Sequence, residues 1–174
     1  GVVGQQNFCQ NNYNQLITIP TGSPPSGELA FTAFDDLAEG ANSRVDFVTM
    51  VWDRDKDNLS DTDSPGEKFL AGIKTLYANV SANPSSYPDG VKVRILLGLK
   101  HYTLAFFDLP ADFATVDMRF KVLEDLQRLG IPVTASNWKV EVALYRDAGI
   151  TDLPPSSHSH AKMLVVDGES VIAA

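Results

Sequence analysis

His160, Lys162 and Asp167 stand in the spacing H-x-K-x4-D within the segment HAKMLVVDGESVI. An imidazole titrates near neutrality, so it can attack phosphorus or move a proton, and an ammonium two residues away can hold a phosphate oxygen. Alternation through Lys162, Leu164 and Val166 predicts a β-strand. Side chains at i and i+2 of a strand share a face, so His160 and Lys162 are expected to point together into one site. That pairing suits phosphodiester cleavage.

The array and its continuation Met163-Leu164-Val165-Val166-Asp167-Gly168-Glu169-Ser170-Val171-Ile172 resemble the catalytic motif of the phospholipase D superfamily, and the flanking text looks like that of its secreted members. The resemblance implies covalent catalysis through a phosphohistidine without cofactor or metal. It makes His160 the nucleophile or general acid, Lys162 a phosphate clamp and Asp167 a supporting carboxylate. It also implies two such motifs facing each other, and the chain shows one, since His101 is followed by Tyr102-Thr103 and His158 by Ser159-His160. The family pattern continues into a Gly-Ser-x-Asn-like stretch, whereas Ala174 stands where its first glycine is expected. The expectation is therefore one part of a larger molecule, with a second lobe or chain supplying the other motif and a neighbour covering the apolar run Val171-Ile172-Ala173-Ala174.

The elements that must position these residues alternate in type. Leu29, Ala33, Phe34, Leu37 and Ala38 recur at helical spacing, and Arg44 to Trp52 is rich in strand formers. Phe69, Leu70, Ile73, Leu76, Tyr77 and Val80 predict a second helix, followed after Pro88-Asp89-Gly90 by the strand Val91–Leu97. A third helix between Pro110 and Gly130 is expected to turn Phe113, Val116, Phe120, Leu123 and Leu126 inward, and it leads to the strand Lys139–Tyr145. Strands separated by helices of this length predict an α/β lobe over residues 27–174, with a largely parallel or mixed sheet and helices on both faces. Residues 1–26, rich in Asn, Gln, Pro and Gly, read as an irregular arm.

Ligands of such sheets bind beyond the carboxyl ends of the strands. Trp52 and His101 follow the first two strands and are candidate substrate-binding residues, with a core role for Trp52 and a surface-loop role for His101 as alternatives. The acidic run from Asp53 to Asp61 fails the calcium-loop template, with Asn58 at the glycine position and Ser64 at the closing glutamate. His158 and His160 lack further partners at zinc-ligand spacing, and no serine sits in a nucleophile-elbow pattern.

A net charge of -8 opposes nonspecific nucleic-acid binding and leaves room only for a local basic pocket. The sequons at Asn58 and Asn79 fit a glycosylated, secreted protein. Cys9, the one cysteine, is expected to pair outside the chain or to remain a buried thiol. The expected activity is a secreted phospholipid phosphodiesterase with peripheral membrane contact. A nuclease of the same superfamily comes second, and a binding or toxin-like module that has lost turnover is the alternative of another class.

Overall fold

The computed structural model describes residues 26–50, 52, 65–98, 118–145 and 161–173. In chain order these form α1 (Ser26–Glu39), β1 (Arg44–Thr49), α2 (Pro65–Ala82), a short 3-10 turn (Pro84–Ser86), β2 (Val91–Leu97), α3 (Met118–Arg128), β3 (Thr134–Ala135), β4 (Trp138–Leu144), β5 (Met163–Val166) and β6 (Ser170–Ala173). They build an open six-stranded sheet in the order β3-β4-β2-β1-β5-β6. β1, β2 and β4 run parallel, while β5 returns antiparallel to β1 and β6 antiparallel to β5. The α/β class agrees with the sequence reading, and the sheet is mixed.

Strand direction follows from the connections. A helix joins β1 to β2 and another joins β2 to β4, as parallel neighbours require. Between β5 and β6 the turn holds Asp167 at φ 54° and Gly168 at φ 75°, and Glu169 N–H donates to the Val166 carbonyl at 3.0 Å. Two successive positive φ values are those of a type I′ hairpin turn, which Asp-Gly favours.

Val91, Val93, Ile95 and Leu97 of β2 are buried on one face, while Lys92 and Arg94 are exposed on the other. All three helices feed the same buried cluster, through Ala38 of α1, Ile73 and Leu76 of α2, and Val122 and Leu126 of α3. Phe47 stacks on Phe69 at 4.3 Å and meets Phe34 and Trp52 edge-on, tying β1 to α1 and α2. Gly72 lets the helices approach, since a Cβ there would lie 2.8 Å from the Asp35 carbonyl oxygen.

Helices were expected on both faces, but among the described residues they cover one. The reason is written in the strands. A parallel strand buried on both sides is a continuous apolar run, whereas VKVRILL alternates, and burying its charged side would leave ions without water.

α3 also differs from expectation in phase. Met118, Val122, Asp125 and Leu126 point inward, while Phe120 is 68% exposed and Leu123 37%. Phe113 and Val116 lie outside the described residues. The helix stops at Gly130, whose φ of 74° lets Ile131 N–H reach back to the Leu126 carbonyl at 2.9 Å.

Candidate active site

Val48 lies opposite Met163 and Val45 opposite Val166, so the amino end of β5 sits beside the carboxyl end of β1. Lys162 is exposed and immediately precedes β5. It therefore stands at the edge where the parallel strands end, the side on which open α/β sheets bind ligands. β5 begins at Met163, later than the alternation through Lys162 predicted. His160 lies outside the described residues, as do His101, His158, Asn58, Cys9 and the Asp53–Asp61 run. Asn79 is described, exposed on α2.

Asp167 occupies the other end of the strand, five residues and about 16 Å of extended chain from Lys162. Its Oδ1 accepts the Ser43 N–H, the Ser43 hydroxyl and the Arg44 N–H, each at 2.8 Å, and its Oδ2 accepts the Asn42 N–H at 2.8 Å. The Asp167 N–H returns a bond to the Arg44 carbonyl at 2.8 Å. Burial raises the pKa of this carboxyl, but the N–H groups of Asn42 and Arg44 and the hydroxyl and N–H of Ser43 outweigh it, so the group titrates below the usual aspartate range. The carboxylate thus fastens the β5–β6 turn to the entry of β1. Its support reaches Lys162 through the strand.

Trp52 is 1% exposed. It has no surface to offer a substrate, which corrects its candidacy as a binding residue in favour of the core role. Its indole N–H donates to Asp125 Oδ2 at 2.8 Å, and its backbone N–H meets the Met118 sulfur at 3.5 Å. Asp125 is 3% exposed and also receives Lys121 Nζ at 2.9 Å and Arg128 Nη2 at 3.5 Å. A carboxylate is tolerated in the interior when it is paired and hydrogen-bonded, as this one is. The cluster ties the second half of α3 to the chain leaving β1, and the Met118 sulfur adds a contact at the start of the helix.

Sequence reasoning missed Asp125. Its signal was an acid on the stripe of Met118, Val122 and Leu126, with Lys121 four residues before it and Arg128 three after.

No family model and no curated protein matches the chain. Its chemistry has to be argued from its own residues. Among the described residues no group of three histidine, cysteine or acidic side chains is arranged to hold a metal ion, and no helix is long and apolar enough to cross a membrane. What remains is Lys162, exposed at the edge where the parallel strands end, just before a strand whose far end is clamped.

Proposed function

We propose that the chain is a lobe of a phospholipase D-type phosphodiesterase acting on phospholipid outside the cell. The observation that carries this reading is Lys162 at the carboxyl edge of the parallel strands, two residues after His160 in the H-x-K-x4-D spacing. Strand ends of this kind present cations to anionic substrates, and the histidine–lysine pair supplies both a nucleophile and a phosphate clamp. The extracellular setting rests on the sequons at Asn58 and Asn79 and on the likeness of the text around the motif to secreted members of the superfamily.

In the proposed reaction a His160 ring nitrogen forms a bond to phosphorus, and the bond from phosphorus to the head-group oxygen breaks. The departing alcohol takes a proton from a second histidine, contributed by another lobe or chain. That histidine then removes a proton from water, the water oxygen attacks phosphorus, and the phosphorus–nitrogen bond breaks to release phosphatidic acid. If His160 is the acid, the two histidines exchange roles. Lys162 neutralises the non-bridging oxygens throughout, which lowers the barrier most where negative charge accumulates.

The test is to quench the assembled protein during turnover of labelled phosphatidylcholine and to map the label. An acid-labile, alkali-stable adduct on a histidine of either motif, with turnover lost in His160→Ala, is the expected result. Full turnover in His160→Ala with no adduct overturns the reading. Cleavage of single-stranded DNA in place of lipid would move the substrate to the nuclease branch. Lipid binding without cleavage would favour the module that has lost turnover.

A further inference from the structure

On the sheet face away from the helices, Arg44, Lys92 and Lys139 stand directly opposite one another on three adjacent strands. Like charges in facing positions weaken a sheet. All three are about half exposed, with side-chain exposures of 45%, 48% and 55%, and Arg94 joins them from the next rung of β2. Four of the fourteen basic residues of a chain with net charge -8 are thus collected in one place.

Of the carboxylates nearby, Asp46, Glu141 and Asp167 are engaged, and Asp89 also lines the groove. Asp46 is held by Arg94 and by Arg44, the latter at 3.1 Å, and Glu141 by Lys139 at 2.6 Å. Asp167 spends its oxygens on the Asn42–Arg44 donors. Lys92, in the middle of the row, has its Glu141 partner at 3.9 Å, the outer limit of an ion pair. Over the row lies an open groove of about 610 Å³, walled by the Pro88–Gly90 turn on one side and by Ser43 and Asp167 on another.

We propose that this groove binds a soluble oligophosphate, with Lys92 and Lys139 as its principal ligands. The row spans about 10 Å, two strand spacings. A single phosphate can bridge one neighbouring pair, whereas two linked phosphates can engage all three cations. Trp138, the aromatic residue in the lining, is 2% exposed, so the groove offers no stacking platform for bases. An extended polyanion would also meet the negative charge of the rest of the surface, while a small anion senses only charges within about one Debye length of 8–10 Å. The groove lies at the opposite end of the sheet from Lys162, so it is a second site and does not depend on the phosphodiesterase reading.

Calorimetric titration of the full chain with pyrophosphate at about 0.1–0.15 M salt tests this. The expected result is saturable one-site binding, tighter than for orthophosphate, and weakened about tenfold or more in Lys92→Gln/Lys139→Gln, which loses two charge-assisted contacts. Without ligand the double variant should unfold near the wild-type urea concentration, since the facing like charges it removes and the exposed Glu141 pairs it gives up are each worth little, and Lys92→Arg/Lys139→Arg should keep the affinity within about threefold. Absence of saturable binding, equal affinity for orthophosphate, unchanged affinity in the glutamine variant, or tighter binding of single-stranded DNA would each overturn the proposal.

Discussion

At the carboxyl end of β5, Asp167 is held by donors from Asn42, Ser43 and Arg44, whereas at the amino end Lys162 stands exposed beyond the last ladder pair with β1. In the proposed reading the two residues of one spacing serve different purposes, Lys162 meeting substrate from an exposed position and Asp167 fastening the β5–β6 turn to β1. Beyond the carboxyl end of β1, Asp125 in the second half of α3 accepts the Trp52 indole N–H and the Lys121 ammonium. The four-residue strand between Lys162 and Asp167 is buried at Leu164 and Val166, which fixes its register against Phe47 and Val45.

The largest effects should come from the open end. His160→Ala is expected to lower phosphodiesterase turnover of the assembled protein by several orders of magnitude, the scale on which nucleophile deletions act, while His158→Ala keeps most of it. Lys162→Ala should cost about two to three orders of magnitude in turnover and change unfolding free energy by less than about 0.5 kcal/mol, because it removes charge stabilisation from an exposed position. Chelator should leave the rate unchanged. A Lys162→Ala protein that turns over normally but unfolds early would reverse the division of labour between the two ends.

Asp125 sharpens the comparison from beneath. Asp125→Ala leaves the Trp52 indole N–H buried without its acceptor and removes the carboxylate from Lys121, so stability should fall by about 3 kcal/mol in urea unfolding, at the low end for a broken buried pair because Lys121 keeps 21% exposure. Trp52→Phe should cost about 1–3 kcal/mol through the lost donor. If Trp52→Phe instead raises KM and leaves the urea midpoint alone, the indole touches substrate after all.

How much of this was legible in the sequence varied with the kind of signal. Alternation in VKVRILL gave β2 its full span and already marked the charged face that carries no described helix. The boundary at Gly130 was equally plain, because a residue at positive φ ends a helix. The phase of α3 was not, since Phe120 and Leu123 outrank Asp125 on any hydrophobic count, and only the tertiary partner Trp52 makes the acid the inward residue. Direction was hidden too, as apolar alternation reads the same whether β5 runs with β1 or against it. The H-x-K-x4-D spacing marked Lys162 and Asp167 but not the Asn42, Ser43 and Arg44 donors that hold Asp167 in the β5–β6 turn, since these come from a distant part of the chain.

The smallest effect belongs to the closed end and separates charge from geometry. Asp167→Asn should destabilise by about 1–2 kcal/mol at neutral pH, because an amide offers one acceptor oxygen where the carboxylate offers two, and the partial exposure of the site screens the charge. Asparagine tolerates the φ of 54°, so backbone strain stays out of the comparison, whereas Asp167→Ala adds about 1 kcal/mol for the left-handed conformation. The carboxyl titrates lower folded than unfolded, since the Asn42, Ser43 and Arg44 donors more than offset its burial. Its contribution is therefore complete above the unfolded value of about 3.9 and fades as pH falls through the lower folded value. Urea midpoints at pH 7 should favour the wild type over Asp167→Asn, and the gap should narrow steadily in acid. A gap of the same size at pH 7 and in strong acid would mean that the shape of the side chain, and not its charge, holds the turn to β1.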